Sequence, residues 1–268
     1  MNQASVVVTR PTAQAEELMQ GITALGRQAV LFPLLEIIAL PDPGALRAAL
    51  ASLQTRPDEF ALVAFVSPNA INAVFAELAG WPAGLPIAVM GQGSRRILAK
   101  HGVDDSNATI FSPRGPRTDS ETLLAELDIS TLRGRKVMIM RGESGRELLA
   151  DRLREQGVEV VQVAAYRRAL PTFDDTRRSQ LAALLERKND WIVTSSEALR
   201  NLVQMTRQLQ IDGQSNRKHQ DAVAKMQQQR MIVPHARIAE TAQSEGFLDI
   251  HMTASGDEAL LAALQSAL

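Results

Sequence analysis

At 268 residues, with 45% hydrophobic and 22% charged side chains, the chain has the composition of a folded protein with a sizeable core, which excludes the disordered and fibrous classes. It contains no cysteine, so disulfides, thiolate nucleophiles and Cys-ligated zinc or iron–sulfur centres are excluded. A net charge of −1 provides no global attraction for nucleic acid, and an anionic ligand must be captured by local arginines and backbone N–H groups.

In chain order, the first element is a strand at Val6-Val7-Val8, with no basic segment, apolar run and cleavage site before it. No stretch reaches the roughly 18 apolar residues of a membrane span, so a cytoplasmic location without membrane attachment is expected. The turn Thr9-Arg10-Pro11 leads into a helical stretch over residues 13–25 and a second strand around Val30. Residues 35–41 end in Leu40-Pro41 and read as a connector. The strand Val63-Ala64-Phe65-Val66 turns through Ser67-Pro68-Asn69 into a helix over 70–78, and Ile87-Ala88-Val89-Met90 turns through Gly91-Gln92-Gly93-Ser94 into another. After a helix over 121–127, Val137-Met138-Ile139-Met140 opens a similar series: the turn Arg141-Gly142-Glu143-Ser144, a helix over 146–156, a strand around Val161 and a second connector at 165–171, again ending in Leu-Pro. Trp191-Ile192-Val193 and Met231-Ile232-Val233 are further strands, and a helix over 258–268 closes the chain. Residues 205–230, rich in Gln, Lys and Arg, read as a solvated helical insertion, whose Arg217, Lys218, Lys225 and Arg230 are available to an anionic partner.

Short apolar strands alternating with amphipathic helices predict parallel sheets covered by helices on both faces. The series is also written twice, roughly 130 residues apart, the signature of an internal repeat. Val6, Arg10, Glu16, Leu18, Gly26 and Val30 recur as Val137, Arg141, Glu147, Leu149, Gly157 and Val161. The blocks beginning at Val63, Ile87 and Ser120 are answered in the same order by blocks beginning at Trp191, Met231 and Asp257. A duplication therefore favours two domains over one, and the paired connectors suggest a hinge.

In open parallel sheets, ligands bind beyond the carboxyl ends of the strands, where helix N-termini present backbone N–H groups. The corresponding turns contain Arg10, Ser67, Asn69, Gln92, Ser94, Arg141, Gly142, Glu143, Ser195, Ser196, His235 and Arg237. Small and hydroxyl residues let a ligand approach the backbone, and an arginine can fork onto a carboxylate or phosphate. Each Ser or Asn equally suits a helix N-cap that needs no ligand, and His235 equally suits a plain turn. The run Gly91-Gln92-Gly93-Ser94-Arg95-Arg96 follows a strand and opens a helix, but Arg96 occupies the third glycine position of a dinucleotide fingerprint, which argues against a nicotinamide or flavin site. There is no Walker A sequence. His101, His219, His235 and His251 lack metal-ligand spacing. Tyr166, the only tyrosine, stands where the second copy runs into its connector; two readings are open, a phenol donating a proton to a leaving hydroxyl in a cleft between domains, and an aromatic packed at a hinge.

The blocks Val8-Thr9-Arg10-Pro11, Phe65-Val66-Ser67-Pro68-Asn69-Ala70, Arg141-Gly142-Glu143-Ser144-Gly145-Arg146, Val163-Ala164-Ala165-Tyr166-Arg167-Arg168, Thr194-Ser195-Ser196-Glu197-Ala198-Leu199 and Pro234-His235-Ala236-Arg237-Ile238-Ala239, in this order over nearly the whole chain, resemble the uroporphyrinogen-III synthase family. The resemblance implies an α/β fold of two Rossmann-like (flavodoxin-like) parallel-sheet domains joined by a two-stranded hinge, with the first unit of each copy exchanged into the other domain. Domain one would contain 1–36 and 172–268, domain two 40–164, with 35–41 and 165–171 as connector strands; periodicity alone suggests two sequential domains instead. It further implies a cyclising hydro-lyase of tetrapyrrole (haem) biosynthesis. Hydroxymethylbilane would lose its terminal hydroxyl and close with inversion of ring D through a spiro intermediate, without a cofactor. The family carries a tyrosine at the position of Tyr166, the implied proton donor. Ser67, Asn69, Ser195, Ser196, His235 and Arg237 would contact the substrate or shape its cleft, and several relatives carry a hydroxyl residue at the position of His235. A monomer in transient contact with the preceding deaminase is the implied state. The rival readings are a non-catalytic, two-lobed protein that binds a small anionic ligand, and a nucleotide-dependent Rossmann enzyme, which Arg96 disfavours.

Overall fold

The computed structural model describes residues 4–113, 119–213 and 220–266. Its first elements are β1 (Val6–Val8), α1 (Glu16–Ala24), β2 (Ala29–Leu31), β3 (Glu36–Ile38), α2 (Gly44–Thr55), β4 (Phe60–Phe65), α3 (Pro68–Glu77), β5 (Ile87–Val89), α4 (Gln92–Lys100) and β6 (Ile110–Phe111). There follow α5 (Ser120–Ala125), β7 (Lys136–Gly142), α6 (Leu148–Glu155), β8 (Glu159–Ala169), α7 (Asp175–Leu185), β9 (Asp190–Ile192) and α8 (Ser196–Gly213). The last are α9 (Ala222–Gln227), β10 (Arg230–Val233), α10 (Ala236–Ser244), β11 (Asp249–Met252) and α11 (Asp257–Gln265).

Local chemistry accounts for many of these boundaries. Ser67 caps α3 by accepting the Ala70 N–H, with Pro68 at the first helical position, where its missing N–H costs nothing. Asp119 and Thr122 close a reciprocal capping box on α5, and Asp174 caps α7. After α1 and α6, Gly26 and Gly157 take φ of 73° and 80°, a left-handed conformation that ends a helix without the Cβ penalty.

The chain divides into two units, residues 1–36 with 169–268 and residues 37–168. The first is built on a five-stranded sheet in the order β11-β10-β9-β1-β2, in which every paired neighbour is parallel. Side chains alternate across it, as the strand period requires. Val7, Trp191 and Met231 enter a core with α7, α8, α9 and α10, whereas Val6, Val8, Ile192 and Ile232 enter another with α1 and α11. The second unit has a six-stranded sheet, β3-β8-β7-β4-β5-β6, again between two apolar layers. Val63, Phe65, Met138 and Met140 pack with α2, α3 and α4; Leu62, Ala64, Val137 and Ile139 pack with α5 and α6. Two-sided burial is why these strands are apolar at successive positions.

Counted from β1 in the first unit and from β7 in the second, both sheets contain the strand order 2-1-3-4-5. The order reverses between β1 and β9 and between β7 and β4. Those two points are where doubly wound sheets open a crevice at their carboxyl ends.

The insertion at 205–230 is a correction to the sequence reading. Its described residues lie mostly in α8 and α9 and are not solvated all round: Met205, Leu209, Ala222 and Met226 are buried in the first unit's core. Exposed polar residues such as Arg207, Gln208 and Asp212 form the outer face of α8, whereas Thr206 and Gln229 are buried. Lys225 is paired with Glu186 and Asp221, and Arg230 opens β10; Arg217 and Lys218 lie outside the described residues.

Candidate active site

The second unit's rim forms at the β7/β4 switch point. The register of β7 against β8 shifts between Arg141 and Gly142, so that Arg141 faces Ala164 but Gly142 faces Tyr166. The extra residue in β8 breaks the alternation: Ala165 and Tyr166 both join the same apolar cluster, which a regular strand forbids. Tyr166 is thereby laid over Gly142, where a Cβ would come within 3.0 Å of its Cζ and 3.1 Å of its Oη. The Glu143 N–H donates to the Tyr166 carbonyl at 2.8 Å, pinning the backbone at the same point. Across the switch point, Ser67 Oγ donates to Tyr166 Oη at 3.1 Å. The structure thus gathers Ser67, Gly142, Glu143 and Tyr166, with Asn69 in the first turn of α3. Gln92 and Ser94 open α4 beyond β5; Gln92 is exposed and Ser94 buried.

Arg141 points elsewhere. It is 7% exposed and donates through Nη1 to both Glu147 Oε1 and Gln162 Oε1, while Gln162 Nε2 donates to Glu147 Oε2 at 2.5 Å. Its guanidinium lies 3.1 Å from where a Cβ on Gly145 would stand, and Arg168 donates to the Ser144 carbonyl at 2.9 Å. Arg141 is thus held inside the 142–147 turn. The hydrogen bond from Gln162, then that from Arg141, keeps the Glu147 carboxyl below the usual carboxylate range. A carboxylate lowered on folding contributes stability at neutral pH and loses it as pH falls through its titration. Glu147→Gln is therefore expected to lower the urea midpoint at neutral pH, with the gap from the native protein closing as the pH is taken below the carboxylate range. A gap independent of pH would contradict this.

The first unit's rim lies at the ends of β1, β9 and β10. Thr9 Oγ1 donates to the Ile192 carbonyl at 2.8 Å across the switch point. Arg10 pairs with Asp257, in the first turn of α11, at 2.7 Å. Ser195 Oγ accepts the Ala198 N–H at 3.4 Å near the start of α8, and Ser196, 6% exposed, donates to the Arg237 carbonyl at 3.4 Å. Pro234-His235 leads into α10; His235 is exposed, with Nδ1 at 3.5 Å from Ser255 Oγ. The Arg237 guanidinium is exposed and has no partner among the described residues.

The partners of the arginines escaped the sequence reading. Glu147 was legible only as a repeat position and Asp257 only as a helix start, and Gln162 carried no signal. The register shift in β8 carried none either, apart from a glycine opposite the sole tyrosine. Among the described residues there is no group of three or more His, Cys, Asp or Glu suited to a metal, and no helix long and apolar enough to cross a membrane.

The family model of uroporphyrinogen-III synthase HemD matches residues 16–261. The chain belongs to the uroporphyrinogen-III synthase family. The uroporphyrinogen-III synthase of Salmonella typhimurium LT2 is 31% identical over 268 residues, covering 97% of this chain and 100% of that protein. That of Escherichia coli K12 is 31% identical over 266 residues, with the same coverage. The crystal structure of uroporphyrinogen-III synthetase from Helicobacter pylori 26695 is similar in fold, with a TM-score of 0.62 at 15% identity over 99% of this chain and 100% of that one. A Thermus thermophilus uroporphyrinogen III synthase variant gives a TM-score of 0.55 at 16% identity over 98% of this chain and 97% of that one. Within this member of the uroporphyrinogen-III synthase family the two rims differ in equipment. The second unit's rim carries the phenol and its hydroxyl neighbour, and the first unit's carries Arg10 and Arg237 beside hydroxyl-bearing turns.

Proposed function

We propose that this chain cyclises hydroxymethylbilane, with loss of water and inversion of ring D, to uroporphyrinogen III, as a cofactor-independent hydro-lyase of tetrapyrrole biosynthesis. The observation that carries the reading is the family match over residues 16–261, together with 31% identity to synthases along their whole length. In this reading the electron-rich pyrrole expels the terminal hydroxyl as water while Tyr166 Oη supplies the proton. The substituted α-carbon of ring D attacks the resulting electrophilic methylene to give a spiro intermediate. The bond from that carbon to its original methylene breaks, and that methylene is recaptured by the free α-carbon of ring D, whose proton is then lost. The phenolate then recovers a proton when the macrocycle rearomatises. Uncatalysed closure gives the non-inverted isomer, so the protein's task is positioning more than acid strength. Arg10, Arg237 and the N–H groups at the starts of α3, α4, α8 and α10 hold the acetate and propionate groups; Ser67, Asn69, Gln92, Ser94, Ser195, Ser196 and His235 shape the surface beside them. Arg141, Gly142 and Glu143 support that surface from the turn after β7, consistent with the burial of Arg141 and the ring laid over Gly142.

The test is direct. Purified protein is given freshly generated hydroxymethylbilane, and the products are oxidised and resolved into type I and type III porphyrins by chromatography. A protein-dependent excess of type III is expected; type I alone from folded protein would end the proposal.

A further inference from the structure

We infer that Ser67 is a positioning residue for Tyr166, turning the phenol's proton away from the protein and towards the reacting hydroxyl. The inference rests on the proposed role of Tyr166 as proton donor. A serine hydroxyl has one proton and two acceptor positions. At Ser67 an acceptor position takes the Ala70 N–H at 3.2 Å, which ties the side chain to the start of α3. Among the described residues the only acceptor its own proton reaches is Tyr166 Oη, at 3.1 Å. A phenol O–H rotates between two in-plane orientations, one of which faces Ser67. With Ser67 donating, that orientation would set two protons against each other, so the tyrosine proton takes the other.

The rest of the phenol is fixed independently. Its ring lies against Gly142, its carbonyl accepts the Glu143 N–H at 2.8 Å, and the register shift in β8 sets its face of the sheet. Accepting a hydrogen bond also stabilises negative charge on Oη as the proton leaves, so the same contact favours proton delivery. A helix N-cap thus carries a second duty: the residue that ends the turn after β4 selects which way the only tyrosine in the chain points its proton.

Two measurements test this. Ser67→Ala is expected to lower kcat about tenfold, the worth of one well-placed hydrogen bond, with little change in KM. The same substitution made in a Tyr166→Phe background is expected to lower kcat no further, and Ser67→Thr, which caps and donates, to retain native kcat. Because the chain has one tyrosine, the Raman Fermi doublet of the phenol reads Tyr166 alone. Its intensity ratio should show an acceptor in the native protein and a donor in Ser67→Asp, which keeps the cap but has no proton to give at neutral pH. Ser67→Ala lowering kcat equally in both backgrounds, or a doublet unmoved by Ser67→Asp, overturns the role of Ser67 and leaves the donor reading standing. An undiminished kcat in Tyr166→Phe alone instead removes the donor reading, whatever Ser67 does.

Discussion

Tyr166→Phe is expected to lower kcat about a hundredfold, the lower range for loss of a general acid, with KM and the unfolding midpoint little changed. The phenyl ring still fills the space over Gly142, and the strand keeps its backbone bond from Glu143, so the cavity and collapse costs of a core truncation do not arise. What disappears is one oxygen, bonded to one serine. The product mixture adds a second reading: if the phenol acts in expulsion of the hydroxyl and not in choosing the carbon that attacks, the type III fraction of the enzymatic product should stay high while its rate falls. A kcat within twofold of the native value would leave Tyr166 as a packed aromatic.

Asp190→Ala is expected to lower the unfolding free energy by about 3–5 kcal/mol, the cost of removing one partner from a buried ion pair. Arg27 Nη2 lies 2.8 Å from Asp190 Oδ2, and the two side chains are only 4% and 9% exposed. Arg27 also donates to the Ala4 carbonyl from Nε at 3.2 Å and Nη2 at 2.6 Å, and Arg230 lies 3.8 Å from the other carboxylate oxygen. The alanine variant leaves a guanidinium buried with one carbonyl partner, that of Ala4, but without its counter-charge. Against a typical total of about 5–15 kcal/mol, that is a large fraction of the protein's stability. Asp190 begins β9, at the end of the sheet opposite the candidate site, so protein that remains folded should keep the native isomer ratio. Urea denaturation decides the first point; a loss under about 1 kcal/mol would mean that water reaches Arg27 and solvates it. Replacing Arg27 and Asp190 together by apolar residues should cost less than removing the aspartate alone, because no unpaired charge then remains.

The candidate site was legible in outline and not in detail. Strand ends followed by Pro, Ser or Gly marked the turns after β1, β4, β5, β7, β9 and β10, because a parallel strand must hand over to a helix within a few residues and those residues must cap it. Ser67 and Ser195 indeed accept N–H groups from the helices they introduce. Arg10 and Arg141 looked alike at the same place in a repeated pattern, yet Arg10 reaches a carboxylate on another helix whereas Arg141 is enclosed by Glu147 and Gln162. No local rule separates them. The 205–230 stretch misled because composition averages over faces: a helix with abundant Gln and Lys can still bury Met205, Leu209 and Met226.

By itself the sequence determined the class of elements, their order, the burial of strands on both faces and the family to which the chain belongs. These are carried by short-range patterns, the strand period of two, the helix period near 3.6 and caps within a turn, which a chain expresses wherever it folds. Tertiary structure alone decided the register of each sheet, in which β1 lies between β2 and β9 and β7 between β8 and β4, and which side chains meet across it. Ser67 and Tyr166 are 99 residues apart, and Arg27 and Asp190 are 163 apart. A hydrogen bond or ion pair over such a separation depends on strand order, register and one inserted residue in β8, none of which leaves a periodic trace in the residues themselves.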